Sequence, residues 1–462
     1  MLCATSNGMK KFLLFTADLI ILFTSLFVTL YLRYDSDFSV QFRFHLTPFI
    51  WIFAVWLIVF YIANLYEPTT LRNNIRFYSS LLRAIFISSL ISIVFFYAIP
   101  LFIIAPKTNL LIFAAIFTGL EFGARYGFNR IFEKKFKKSV LIVGLNDQSL
   151  ELSDFIKNNP QFGYRLKYAV DLTSKKTDTD KNNYEKFEII QKVEDLEKII
   201  KTEKIDAIII SPETYQTPEI INIFYKAIEQ KISFFNLASF YEQLTGKIPL
   251  GAINQIWFLE NLSEWDKKGY ELAKKSFDLI FAILIGIFSL VAYPFIILLI
   301  KVSSPGPFFY KQKRFGQTGK IFEIIKFRTM NKDAEKNTGA VWTTENDPRI
   351  TKVGNFLRRT RIDELPQIWN ILKGEMSFVG PRAERPEFHD MLQKEVPFYE
   401  ERYLIKPGLT GWAQINFHYG SSVKDAEEKL KYDLYYIKNR SLLLDLGIIL
   451  KTIRIALKQA GR

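Results

Sequence analysis

The chain has 462 residues, 49% of them hydrophobic and 43 of them phenylalanine, yet 23% are charged and the formal net charge is +14. That mixture excludes a single small soluble domain and points to membrane segments joined to soluble ones, with length for two or three domains. The basic excess suits an anionic membrane surface or phosphorylated substrates; no zinc-finger spacing or other nucleic-acid motif accompanies it, so nucleic acid is not expected as a partner, and the lone Cys3 excludes an internal disulfide or a cysteine-based metal site.

Residues 12–32, 44–66, 81–105 and 110–128 are each long and apolar enough to cross a bilayer, which takes about 20 residues. The first is too long for a signal-peptide core and no small-residue cleavage site follows it, so it reads as an uncleaved span. Met9-Lys10-Lys11 resembles a start context, which would leave the residues before it dispensable. Glu121 and Arg125 interrupt the fourth run. Lys10 and Lys11 precede the first span, Arg72 and Arg76 separate the second from the third, and Arg130, Lys134, Lys135, Lys137 and Lys138 follow the fourth. By the positive-inside rule both ends of this bundle face the cytoplasm. Asp18 inside the first span reads either as a functional intramembrane acid or as a group paired within the bundle or near the interface.

Residues 139–144, 168–171 and 205–211 read as strands, 189–201 and 218–230 as helices, and 173–183 as a polar loop. Strands alternating with helices imply a parallel α/β sheet. The expected organisation is a four-helix transmembrane region over 1–132, a Rossmann-like domain over 133–262 and a mainly helical third domain over 263–462. The turn Gly144-Leu145-Asn146-Asp147-Gln148-Ser149 lacks the second and third glycines of a dinucleotide fingerprint. The sheet therefore reads as structural or regulatory rather than as an active dinucleotide site.

Residues 279–300 carry no charge and are long enough to span. Lys274 and Lys275 stand on one side of them, Lys301, Lys311, Lys313 and Arg314 on the other, so neither side looks external. Pro294 removes a ladder hydrogen bond. The reading is a helix over about 276–300 that enters the membrane, bends near Pro294 and returns to the same face; an ordinary kinked span is the alternative.

The most informative segment is Arg358-Arg359-Thr360-Arg361-Ile362-Asp363-Glu364-Leu365-Pro366-Gln367. Arginines can hold a diphosphate, and a carboxylate held beside them can act on phosphorus or bind a divalent cation. The structural alternative is an acidic helix start, with Asp363 as N-cap and Pro366 in the first turn. Asn370 to Arg382 then supplies another rigid turn ending in an arginine. Near the C-terminus, residues 441–459 mix leucine and isoleucine with Lys451, Arg454 and Lys458. They fit either a helix lying flat on the bilayer interface or a core helix of the domain.

Ordered motifs carry a resemblance. They are Lys275-Ser276-Phe277-Asp278, Ser304-Pro305-Gly306-Pro307, Gln312-Lys313-Arg314, the run from Phe322 to Met330, Asp363-Glu364-Leu365-Pro366-Gln367, the run from Leu372 to Ser377, Val379-Gly380-Pro381-Arg382, the run from Lys406 to Gln414, and Tyr432-Asp433-Leu434-Tyr435-Tyr436. From about Ala273 onward the chain resembles the bacterial sugar transferases, the polyprenyl-phosphate hexose-1-phosphate transferases or monotopic phosphoglycosyl transferases. The preceding residues look like the N-terminal extension of the long members.

The resemblance implies a multi-pass protein of the bacterial inner membrane with a cytoplasmic catalytic domain on a re-entrant helix. It implies transfer of a sugar-1-phosphate from a UDP-sugar to undecaprenyl phosphate, releasing UMP, as the first step of exopolysaccharide, capsule or O-antigen assembly. Asp363 would be the nucleophile and carry an aspartyl phosphosugar; the residues by themselves equally permit a metal-ligand role for it. Glu364 would be a Mg²⁺ ligand or a proton acceptor. Lys326, Arg358 and Arg382 match positions around the phosphates, whereas Arg328, Arg359 and Arg361 are further cations that solvated surface positions would also explain. Asp433 is a candidate donor contact, with an ion pair to Lys429 or Lys431 as its alternative. Mg²⁺ is expected on physical grounds, because it neutralises a diphosphate and prefers carboxylate oxygens.

Two positions depart from the family: Lys406 stands where an arginine is usual, losing bidentate geometry, and Tyr293 precedes Pro294 where a serine is usual. The glycines of Pro407-Gly408-Leu409-Thr410-Gly411-Trp412 could bring backbone N–H groups to uridine or phosphate. None of the three histidines lies in a matching motif, so no histidine catalysis is assigned. The sugar is unspecified, and a second copy of the chain is a candidate partner beside the bilayer. Two other readings compete: a membrane-anchored nucleotide-sugar dehydratase or epimerase using Tyr270 and Lys274, and a non-enzymatic scaffold of an export complex.

Overall fold

Backbone groups in lipid can be satisfied only within the segment that carries them, so long apolar runs become helices. In the computed structural model, which describes residues 2–99, 107–134, 137–171, 188–262, 267–331, 334, 347–417, 420 and 422–457, the four predicted spans are α1 (Leu2–Tyr34), α2 (Phe38–Ile62), α3 (Ile75–Ala98) and α4 (Lys107–Lys134). Two compact units divide the chain, Met1–Thr245 and Gly246–Arg462.

The first unit contains this bundle. Phe49, Phe53, Trp56 and Phe60 of α2 pack with Phe113 and Phe117 of α4 and with Leu22, Leu26 and Leu30 of α1. The charges that interrupt the fourth apolar run face inward. Arg125 Nη2 donates to both oxygens of Asp18, at 2.9 and 2.7 Å, Arg125 Nε donates to Glu121 Oε1 at 2.6 Å, and Tyr66 donates to Asp18 at 2.7 Å. Asp18 is thus paired within the bundle, which is how buried intramembrane charge is usually tolerated. Two of the basic residues used above for orientation also hold the soluble part of this unit. Lys10 donates to the carbonyls of Gln161 and Phe162, and Arg72 to the side chain of Gln161.

Beyond the bundle come β1 (Lys138–Val143), α5 (Asp147–Asn158), β2 (Tyr164–Val170), β3 (Glu188–Ile190), α6 (Val193–Thr202), β4 (Ala207–Ile210), α7 (Pro218–Ala227), β5 (Ser233–Asn236) and α8 (Leu237–Thr245). All strand pairings are parallel, in the order β3-β2-β1-β4-β5. The central β1 is apolar throughout its buried part, as a strand covered on both faces must be. Ile189 and Ile190, expected to open a helix, lie instead in β3, and the helix starts at Val193. The expected loop 173–183 lies outside the described residues.

The second unit begins at Gly246, before the boundary expected near 262, because Ile248 and Leu250 join the core of Ile368, Ile371, Leu430 and Leu434. It contains α9 (Gln255–Asn261), α10 (Lys268–Ser303), β6 (Phe309–Phe315), β7 (Ile321–Phe327), α11 (Lys352–Thr360), α12 (Ile368–Leu372), β8 (Ser377–Val379), α13 (Pro386–Glu395), β9 (Gly408–Thr410), α14 (Trp412–Asn416), α15 (Val423–Asn439) and α16 (Leu442–Leu457). The mainly helical expectation holds, with an antiparallel β6–β7 hairpin and a parallel β8–β9 pair added.

The 36-residue α10 is roughly 54 Å long at 1.5 Å per residue. It stays helical through Pro294. Ser289, one turn before the proline, donates to Gly286 O rather than to a carbonyl freed by the ring. One face of α10 exposes Leu284, Phe288, Val291, Phe295 and Val302. The opposite face packs on this unit along most of its length: Lys274 pairs with Asp445 at 2.8 Å, Asp278 accepts from Phe378 N, and Tyr293, Ile296 and Ile300 pack on Phe327 and Leu357. On α16, Asp445 and Ile448 are buried while Leu443 and Ile453 are exposed, so one face of this helix joins the core, as the core reading requires.

Candidate active site

Arg361 adopts a left-handed conformation (φ 57°) that ends α11. The chain then winds as a tight 3₁₀ turn over Ile362–Gln367 before α12 begins. Asp363 and Glu364 sit in that turn, and no side chain caps it, so Asp363 is not the N-cap that a structural reading required. Pro366 lies inside the turn and not in the first turn of an α-helix.

The two acids have different surroundings. Glu364 Oε1 accepts from Lys326 Nζ at 3.1 Å and Arg382 Nη2 at 3.2 Å, and Oε2 from Arg361 Nη1 at 3.4 Å. Asp363 is equally buried, at 8% exposed, but accepts no hydrogen bond among the described residues. Burial pushes the Glu364 carboxyl up, but Lys326, Arg382 and Arg361 together hold it well below the usual carboxylate range. For Asp363, burial and the adjacent Glu364 charge raise the pKa to about 6 against the pull of Lys326, Arg358 and Arg382. Burial lowers the pKa of Lys326, with Glu364 opposing. The result is one acid clamped by cations that favour its ionised form, and one that accepts no hydrogen bond among the described residues beside the same cations.

Other elements position these groups. Arg358 Nε donates to Thr329 Oγ1 at 2.8 Å, which ties α11 to the end of β7. Asn370, fully buried on α12, accepts from Ile325 N at 3.1 Å and donates to Glu323 O and Glu375. It fixes β7 on both sides of Ile324, next to Lys326.

The chain matches the bacterial sugar transferase family over residues 269–459. It is 42% identical over 186 residues to the exopolysaccharide production protein PSS of Rhizobium leguminosarum bv. phaseoli, a match covering 39% of this chain and 92% of that protein. The chain belongs to the bacterial sugar transferase family. It is also 39% identical over 233 residues to the UDP-N-acetylgalactosamine-undecaprenyl-phosphate N-acetylgalactosaminephosphotransferase of Aeromonas hydrophila, covering 50% of this chain and 53% of that one. With the UDP-glucose:undecaprenyl-phosphate glucose-1-phosphate transferase of Xanthomonas campestris pv. campestris it shares 31% identity over 333 residues, covering 68% and 65%. The chain thus spans between about half and two thirds of the length of these two relatives. Residues 61–229 match a CoA-binding domain family.

Several sequence candidates bond to residues other than the acid pair, elsewhere in this unit. Arg328 donates to Ser304 O, Ser304 Oγ and Pro305 O, so it ties the end of α10 to the end of β7, a structural use that the sequence did not suggest. Asp433 is buried against Arg402 at 2.9 Å and also feels the Lys429 charge, whereas Lys431 meets Glu427 and Glu428. Burial raises its pKa to about 6, with Arg402 opposing. The glycines of the Pro407 turn serve a backbone crossing: Gly408 N donates to Pro381 O and Gly380 N to Thr410 O, and a Cβ at either glycine would collide with the other strand. Tyr270 and Lys274, the pair a dehydratase or epimerase would need, both donate to Asp445. Asn370, Arg314 and Arg402 were missed as site-supporting residues. Asn370 and Arg314 lie within quoted motifs; no sequence signal marked Arg402.

At the carboxyl edge of the sheet, between β1 and β4, Ser211 donates to Gly144 O at 2.7 Å and Thr214 to Val143 O at 3.0 Å. These bonds tie the end of β1 and the turn after it to the segment after β4. Gly144 has φ 92°, and an added Cβ would stand 2.7 Å from Ser211 Cβ. Gly144→Ala is therefore expected to destabilise this unit by more than about 1 kcal/mol, visible as faster limited proteolysis between β1 and β4.

Proposed function

We propose that the chain transfers a sugar-1-phosphate from a UDP-sugar to undecaprenyl phosphate at the cytoplasmic face of the bacterial inner membrane, opening the assembly of an exopolysaccharide, capsule or O-antigen. The observation that carries this reading is the asymmetry of the acid pair, with Glu364 clamped by three cations and Asp363 without a hydrogen bond among the described residues. A carboxylate oxygen of Asp363 forms a bond to the β-phosphorus as the bond to the UMP oxygen breaks, and UMP leaves. A phosphate oxygen of undecaprenyl phosphate then bonds to the same phosphorus, the aspartyl bond breaks, and the carboxylate is restored. Lys326, Arg358 and Arg382 carry the charge of the transferring group, which is the main demand of phosphoryl transfer.

Asp363, whose carboxylate accepts no hydrogen bond among the described residues, would be the residue to hold Mg²⁺; at Glu364 an ion would have to replace one of the three cations. When bound, it supplies further neutralisation of the diphosphate. Among the described residues no group of three or more His, Cys, Asp or Glu gathers to hold a metal by itself, so the substrate would complete the coordination.

The packing of one domain against α10 from Lys274 to Ile300 supports a helix that enters the membrane and leaves by the same face, since a straight crossing would draw that domain into lipid; the turn at Pro294 draws no support from it, because α10 stays helical there. The strand order β3-β2-β1-β4-β5 supports a Rossmann-like reading of the sheet. The reading is tested by incubating purified protein with a panel of UDP-sugars. Multiple-turnover UMP release that requires undecaprenyl phosphate is expected from at least one donor; release independent of the lipid, or none from any donor, counts against it.

A further inference from the structure

Arg382 reaches Glu364 with a side chain that is 42% exposed. What fixes its direction is the backbone beneath it. Four consecutive carbonyls of this loop are each held by a donor from another part of the unit. Gly408 N donates to Pro381 O at 2.8 Å, Arg402 Nη2 to Arg382 O at 3.1 Å, Arg314 Nη1 to Ala383 O at 3.1 Å, and Phe315 N to Glu384 O at 3.0 Å. The donor at Arg382 itself is a buried guanidinium. Arg402 is 6% exposed and also meets Tyr399 Oη at 2.6 Å and Asp433 Oδ2 at 2.9 Å.

A buried arginine needs a partner charge, and loss of that partner leaves the remaining charge uncompensated. Asp433, 2% exposed and at 2.9 Å, is the nearer of two such partners, with Glu384 at 3.5 Å the other. The same Nη2 that contacts Asp433 contacts Arg382 O, so the carboxylate and the carbonyl are bridged by one nitrogen. Asp433 is therefore two hydrogen bonds away from the backbone of a phosphate-facing arginine.

We infer that Arg402 and Asp433 are positioning residues: they aim Arg382 at the phosphate site through its carbonyl, and Asp433 acts on the donor only through Arg382. This replaces the direct donor contact expected for Asp433 and rests on the donor reading given under Proposed function.

A double-mutant cycle on the full chain tests it, with UDP as the probe because every candidate donor contains it. Arg382→Ala is expected to weaken UDP binding roughly tenfold to a hundredfold, the range for losing a charge-assisted hydrogen bond. Asp433→Asn should weaken it severalfold in the parent chain and leave it unchanged in the Arg382→Ala background, since coupled residues are not additive. A general structural role, or a direct contact of Asp433 with the nucleotide, would give equal losses in both backgrounds and overturn the inference; so would undiminished binding by Asp433→Asn. If Asp433→Asn does not fold, Tyr399→Phe removes one partner of Arg402 at conserved volume, and the same pattern, with smaller losses, is required of it. Parent protein that binds no UDP would overturn the donor reading and this inference together, whereas additive losses with intact parent binding overturn this inference alone.

Discussion

Asp363→Asn is expected to reduce lipid-dependent UMP release by roughly 10³-fold or more, the scale seen when a covalent nucleophile is removed. The amide keeps the shape and removes the attacking charge. The substitution should not unfold the protein, because Asp363 caps no helix and accepts no hydrogen bond among the described residues. Burial and the adjacent Glu364 both disfavour its ionised form, so a neutral group there should be neutral or mildly stabilising. Thermal unfolding of the variant at or above the parent value, together with the lost activity, separates chemistry from stability. Intact-mass measurement after incubation with donor alone gives a second reading: the parent should gain the mass of a glycosyl phosphate and the variant should not. Full UMP release by the variant would remove Asp363 from the role of attacking group.

The reach of the sequence differed between parts of this chain for physical reasons. Apolar runs revealed α1 to α4 because lipid leaves the backbone no alternative. Glu121 and Arg125 looked like a defect in the fourth run only because their partner Asp18 lies on α1, about a hundred residues away. The parallel sheet was legible from β1 and β4, whose central residues are apolar without alternation. The three-residue β3 was not, because its isoleucines also fit the amphipathic face of α6. In the site, Asp363, Glu364, Lys326, Arg358 and Arg382 lie within short motifs and were named. Arg402 follows two glutamates in a segment that reads as surface charge, and only folding joins it to Arg382 and Asp433, 20 and 31 residues away. Arg328 shows the converse: a cation in a motif rich in function that is used to hold the end of a helix.

Lys326→Met is expected to lower the rate at neutral pH by roughly 10²–10³-fold, the range for removing one preorganised electrostatic group, and to move the acidic limb of the pH–rate profile upward. Attack requires ionised Asp363, so the parent rate should rise with pH through about 6 and then level. Lys326 is the cation that most favours the ionised form of both acids; without it, both carboxyls hold their protons to higher pH, and the limb shifts toward neutrality. Glu364→Gln should move the limb the opposite way. Glu364 stays ionised across the working range, its charge raises the Asp363 pKa, and removing that charge lets Asp363 ionise at lower pH even if the maximal rate falls. Opposite shifts from neighbouring substitutions are the diagnostic. Asp433 is also raised to about 6, by burial first, with Arg402 and Lys429 opposing and Glu384 adding; a limb set by Asp433 would follow substitutions at those residues. A limb that stays fixed in both variants would therefore assign the essential ionisation elsewhere and remove Asp363 from the role of attacking group.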